Sequence, residues 1–204
     1  MIAIIVPTRG LTFTQTDILI DQVVEHFDCR VFRTFDKEIP VAQNYLVEEA
    51  LKTDAEFFLF IEEDNVPTLK QVRDMVNRNV DICFVDYGVN GWSCSAQNKK
   101  GEILWCGLGV TMVKRRVLEK MEKPWFRTDK SYRLNDNKWI DVPMKYGGHD
   151  IYFFVKAREV GFKITRIEGE ADHLRLNSIG RPEINHGLHL IEKKPRISKE
   201  QIIS

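Results

Sequence analysis

The chain has 204 residues, 43% hydrophobic and 29% charged, which suits one globular domain with a buried core and leaves too little chain for a second. Its 30 Lys and Arg balance its 30 Asp and Glu, so no global field draws it to nucleic acid or to an anionic membrane. Cys29, Cys83, Cys94 and Cys106 form no C-x-x-C pair; this argues against a zinc-ribbon or dithiol motif and leaves them as small buried hydrophobes.

The first apolar run, Ile2–Val6, is β-branched, brief and stopped by Pro7, as a buried strand would be. It is too short to span a membrane and has no basic flank of the secretory kind, so the expectation is a cytoplasmic protein without integral membrane contact. Residues 17–27 put Ile18, Ile20, Val23, Val24 and Phe27 at helical spacing. Val31 and Phe32 begin a second strand, and Pro40 opens a helix running to Lys52.

Residues 56–61 form the strongest central strand, delivering Glu62-Glu63-Asp64-Asn65, after which Pro67 precedes a helix over 69–77. Another buried strand covers 81–86, and the polar stretch 88–101, with Trp92 in it, reads as a loop. An apolar run over 103–113, punctuated by Gly107 and Gly109, leads to a short helix at 114–120. The spacing predicts a long loop over 124–148, a helix over 150–160 closed by Gly161, and a last strand over 162–167. From Ser178 onward no period is visible. Strands alternating with helices predict a layered α/β domain with a largely parallel sheet. Ligands of such sheets bind beyond the carboxyl ends of the strands, which directs attention to residues 7–9, 62–65, 86–90 and the segment after Ile167.

The acidic turn carries the most chemistry. In extended chain Glu62 and Asp64 share a side, so two hard oxygen ligands can hold one Mn²⁺ or Mg²⁺ that neutralises a diphosphate; a solvated turn is the plainer reading. His173 offers a neutral imidazole as a further ligand, or is a surface residue. Backbone after Val6 can meet a base while Thr8 and Arg9 meet ribose or phosphate, unless Pro7-Thr8-Arg9 is only a turn. Asn44 either touches the base or sits exposed on its helix. Asp150 is either a helix N-cap or a general base, and Gly147-Gly148 before it permits close approach of a ligand. Trp92 stacks on a sugar or base, or packs its own loop down. His186, His189 and the run Lys193-Lys194-Pro195-Arg196 read as solvated tail.

The order of these segments resembles family 2-like GT-A glycosyltransferases. It has an Ile-Ile-Val-Pro-Thr-Arg opening, a helix bearing Gln43-Asn44, and a hydrophobic strand ending in a D-x-D-like motif, here Glu62-Glu63-Asp64. Gly107 through Arg115 looks like the family's acceptor-side strand running into a helix. Gly148 through Lys163 is similar to its Glu-Asp helix, with His149 in place of the usual Glu and Asp150 matching the catalytic base. Asp172-His173 resembles the late His of the metal site. The matches span residues 2 to about 175.

The resemblance implies a GT-A domain over 1–177 and a tail over 178–204 on or near the active-site face. It implies sugar transfer from a nucleotide-sugar, UDP-sugar before GDP-sugar, inverting with Asp150 as base. It further implies donor contacts at Pro7, Thr8, Arg9, Asn44, Glu63 and Asp64, an acceptor side at Trp92, Gly107, Gly109 and His149, and a metal at Glu62, Asp64 and His173. The acceptor stays open among glycan, protein and modified nucleic-acid base. Two other readings stand beside it. A sugar nucleotidyltransferase would carry a G-x-G-T-R loop after the first strand, where this chain has Pro7-Thr8-Arg9-Gly10. A degenerate nucleotide-sugar-binding module would account for Glu62 and His149.

Overall fold

The computed structural model describes residues 1–35, 37–89, 91–133, 137–142, 148–178 and 188–191, with 175–178 and 188–191 described as backbone. In chain order the elements are β1 (Ile2–Val6), α1 (Thr14–His26), β2 (Cys29–Arg33), α2 (Ile39–Leu51), β3 (Phe57–Ile61), β4 (Asn65–Val66) and α3 (Leu69–Arg78). Then come β5 (Ile82–Val89), β6 (Trp92–Ser93), β7 (Ser95–Gln97), β8 (Ile103–Cys106), β9 (Val110–Lys114) and α4 (Arg115–Lys120). The last are β10 (Lys130–Arg133), β11 (Lys138–Asp141), α5 (His149–Glu159), β12 (Ile164–His173), β13 (Arg175–Ser178) and β14 (Leu188–Ile191).

The main sheet runs β2-β1-β3-β9-β5-β12-β4, with β6 pairing on β5. Side chains alternate along each strand, and the alternation sorts the core into two layers. Ala3, Ile5, Phe58, Phe60, Ile82 and Phe84 face α2, α4 and α5. Ile2, Ile4, Val6, Leu59, Ile61, Cys83 and Val85 face α1 and α3. Helices therefore cover both faces of the sheet, which is the α/β architecture that the alternating pattern predicts. Each helix presents one apolar stripe to the sheet; α3 also closes its first turn with a Thr68/Gln71 capping box, satisfying two otherwise orphaned N–H groups. No helix among the described residues is long and apolar enough to cross a membrane.

The sheet is mixed and not largely parallel. β9 lies antiparallel between β3 and β5, and β4 antiparallel on β12, while β2, β1 and β3 run parallel and so do β5 and β12. The apolar run over 103–113 is two strands, broken at Gly107-Leu108-Gly109: β8 pairs with β7, and β9 enters the main sheet. The expected loop over 124–148 contains the β10–β11 hairpin, and the stretch 88–101 contains β6 and β7. β12 passes its expected end at Ile167 because a bulge with Gly169 at φ 84 lets it resume pairing and reach His173. Past Ser178, Leu188–Ile191 pairs with Arg175–Ser178 where no element was expected; most of the tail, with His186 and residues 193–196, lies outside the described residues.

Gly107 and Gly109 are required by packing. A Cβ at Gly107 would fall 2.1 Å from the Tyr87 hydroxyl and 2.6 Å from Cys94 Sγ; one at Gly109 would fall 2.6 Å from Asn65 Nδ2. Gly107→Ala should therefore lower unfolding stability by about 1–3 kcal/mol, the usual cost of overpacking. Gly88→Ala, whose Cβ would meet nothing within 4 Å, serves as the control and should be close to neutral in the same urea titration.

Candidate functional site

The site forms where β3 ends. Glu62 still belongs to the ladder, its N–H donating to Gly109 O at 3.1 Å, and it stays in phase with Phe58 and Phe60 toward the α5 layer. The chain then turns: Asn65 N–H donates back to Glu62 O at 3.2 Å. Alternation ceases at that turn, so the expectation that Glu62 and Asp64 share a side does not survive. Glu62, Asp64 and His173 do not form a compact ligand group; Glu62 gathers with His149 and Asp150, and Asp64 with His173.

Asp64 and His173 meet across 109 residues of sequence because β4 pairs with β12 in the register His173↔Asn65. Leu174 N–H donates to Asp64 O at 2.7 Å and fixes the approach. His173 Nδ1 lies 3.0 Å from Gly88 O. A carbonyl only accepts, so Nδ1 carries the proton, and a neutral ring must then show its Nε2 lone pair to Asp64 Oδ2, 3.2 Å away. Two acceptors at that distance need a proton or a cation between them. An imidazole anchored through Nδ1 on a carbonyl, beside a carboxylate, is a donor set that fits a divalent cation, Mn²⁺ better than all-oxygen-seeking Mg²⁺. Asn65 is fully buried and donates to the other Asp64 oxygen at 3.0 Å, orienting the carboxylate. Sequence reading passed over Asn65; its position at the strand end beside Asp64 was the available signal.

The second group, Glu62, His149 and Asp150, has ligand atoms all within 4.8 Å of one another. Gly148, at φ 90, occupies the N-cap position of α5, so Asp150 sits inside the first turn and is not the cap. There its charge favours the helix dipole. His149 Nε2 and Asp150 Oδ1 are 2.8 Å apart as a close charge pair; both atoms and His149 Nδ1 are buried and make no other hydrogen bond among the described residues. Burial and the neighbouring Asp150 carboxylate push the Glu62 carboxyl up to about 8. Burial works against a charged His149, but the carboxylates of Asp150 and Glu62 outweigh it and raise the imidazole above its ordinary value.

Several predicted donor contacts have other work. Arg9 holds Glu63 through Nε and Nη2 at 2.9 and 2.6 Å, and its backbone N–H adds a third bond at 2.9 Å. The Glu63 carbonyl accepts from Phe13 N–H and Thr16 Oγ1, each at 3.1 Å, so the middle residue of the turn ties down the β1–α1 loop. Pro7 is buried; Thr8 is fully buried, donating to Leu11 O and accepting from Gly10 N–H, which makes it a turn residue.

Asn44 is not free to read a base. It donates to Pro40 O and Phe126 O at 2.8 Å each and accepts from Trp125 and Phe126 N–H. Phe126 in turn stacks on Phe153 of α5 at 5.1 Å, so Asn44 bears on Asp150 only through packing. Trp92 is 61% exposed on β6. Asp86, on the strand toward which the sheet rule pointed, is buried and accepts from the N–H groups of Tyr87 and Cys94 and from Ser93 Oγ, with Arg166 3.0 Å away. It anchors the loop after β5. Burial pushes the thiols of Cys83 and Cys94 up to about 12, as expected of inert cysteines. Gly147 lies outside the described residues.

No family model matches the chain, and no curated protein does. Among solved structures it is similar to A197 from STIV, at 19% identity and a TM-score of 0.58, covering 97% of this chain and 96% of that one. At that identity the likeness is one of fold. A CMP:2-keto-3-deoxy-manno-octonic acid synthetase complexed with CTP matches at 10% identity over 83% of this chain and 90% of that one, with a TM-score of 0.45.

The raised Glu62 carboxyl predicts a pH dependence. Between its ordinary 4.5 and about 8 the native state keeps a proton that the unfolded state has lost, so stability falls as pH rises through that window. With divalent cations removed by EDTA, Glu62→Gln should melt with the parent near pH 4.5 and increasingly above it up to pH 8. A gap that stays constant across the range would contradict the buried pairing.

Proposed function

We propose that the chain is a glycosyltransferase of the GT-A type, moving a sugar from a nucleotide-sugar, UDP-sugar as the first donor class, to an acceptor hydroxyl. The observation that carries this reading is the Asp64–His173 pair, with Nε2 3.2 Å from the carboxylate and Nδ1 on the Gly88 carbonyl, beside the Glu62–Asp150 group at the strand ends. Asp64 and His173 would hold a divalent cation, Mn²⁺ or Mg²⁺, which supplies neutralisation of the diphosphate as it departs. Asn65 keeps the Asp64 carboxylate turned toward His173, and the Gly88 carbonyl keeps the His173 tautomer.

Asp150 would receive the proton of the acceptor hydroxyl while that oxygen bonds to the anomeric carbon and the bond from that carbon to the phosphate oxygen breaks. A single displacement of this kind inverts the anomeric centre. The Arg9–Glu63 pair fixes the loop after β1, and so the wall on which the nucleotide would lie.

Asp64→Ala should abolish Mn²⁺-dependent binding of UDP in calorimetry, and His173→Ala should weaken it. Undiminished cation-dependent affinity in Asp64→Ala would overturn the cation assignment. Asp150→Asn keeps the side chain's shape but cannot take a proton, so transfer should fall by a factor of about 10² to 10⁴ with UDP affinity and melting temperature retained. Transfer within a fewfold of the parent would remove Asp150 as base, and loss of folding is monitored by the same melting curve.

A further inference from the structure

His149 stands where the resemblance leads one to expect a glutamate, and its surroundings suit a ligand better than a spacer. Both of its ring nitrogens are out of contact with solvent and, the close approach of Nε2 to Asp150 aside, without a hydrogen-bond partner among the described residues, an arrangement that is costly unless a further group completes it. Asp150 Oδ1, also buried, makes a close 2.8 Å contact with Nε2. Glu62 approaches from the end of β3, bringing its ligand oxygen within 4.8 Å of the other two. Two carboxylates are thus pressed together in a half-buried space with one imidazole. Arg9 bonds Glu63, and Arg166 sits on Asp86 and near Glu170.

We propose that Glu62, His149 and Asp150 form a second cation site, separate from Asp64–His173, which takes up a first-row divalent ion such as Mn²⁺ or Zn²⁺ without any nucleotide. One nitrogen and two carboxylate oxygens make a ligand set suited to such ions and poorly suited to Ca²⁺ or Mg²⁺. Three protein ligands leave coordination positions open to water or to a hydroxyl of a substrate. The backbone favours the arrangement: Glu62 is held by its ladder bond to Gly109, and His149 and Asp150 by the first turn of α5, whose Phe153 is locked against Phe126. The ligands come from rigid elements, so the site is largely built before an ion arrives. The proposal goes beyond glycosyl transfer and does not need it: cation uptake is read without donor or acceptor, and it takes one oxygen of Asp150, leaving the other for the acceptor proton.

The test is calorimetry of the EDTA-stripped protein with MnCl₂ and with ZnCl₂, nucleotide omitted. The expected result is one saturable site in the parent and in Asp64→Ala, lost in His149→Ala and in Glu62→Gln. In the Asp64→Ala background, pulsed EPR of bound Mn²⁺ should show imidazole ¹⁴N modulation that disappears with His149→Ala. Should His149→Ala fail to fold, Glu62→Gln, nearly isosteric, carries the comparison. No saturable binding by the parent, or unchanged binding in the folded variants, would overturn the proposal. UDP-linked Mn²⁺ uptake that persists in His149→Ala would leave the Asp64–His173 reading standing, so the two readings fail separately.

Discussion

The carboxyl end of the sheet is organised by the point at which β3 stops pairing. One ladder bond, Glu62 N–H to Gly109 O, keeps Glu62 in phase with the α5 layer; one turn bond, Asn65 N–H to Glu62 O, takes the next residues out of phase. Because strand alternation has period two, a stop one residue earlier or later would exchange the layers that the acidic residues address. With the stop where it is, three consecutive carboxylates are shared among three partners. Glu62 faces His149, Glu63 binds Arg9, and Asp64 meets His173. A triplet that would repel itself in free chain is thereby divided among three separate surroundings.

That division also explains how much of the site could be read from residues alone. The strand ending in Glu62-Glu63-Asp64 and the helix beginning at His149-Asp150 were legible, since an apolar run and a 3.6 period are local properties of sequence. The pairing of Glu62 with His149 was not, because it depends on α5 packing through Phe153 onto a loop that Asn44 holds. Asn44 itself misled for a related reason: an amide on a helix looks the same whether its partners are ligand or backbone 81 and 82 residues away. His173 was legible as a candidate, though the carbonyl that sets its tautomer belongs to Gly88, a residue with no side chain to notice.

In the fold, helices were easier than strand direction. α2 begins near its proline, and α3 and α5 follow their apolar stripes, but nothing in Val110–Lys114 says that it runs antiparallel between β3 and β5. Hydrophobic pattern marks a buried strand and is silent on its sense. The short strands β6, β7, β10 and β11 escaped because their polar residues carry no period-two signal over so few positions.

β4, two residues long, is joined to β12 by only two residue pairs, and the Leu174 N–H bond to Asp64 O continues that seam. A seam so short can part with little loss to the two packed layers, which rest on β1, β3, β5 and β9. Parting it would separate Asp64 from His173 while leaving the body of the domain folded. The ends of this chain segment therefore form a clasp: the Asp64–His173 contact can be made and unmade by local breathing at one margin, with amide exchange at Leu174 as its clock.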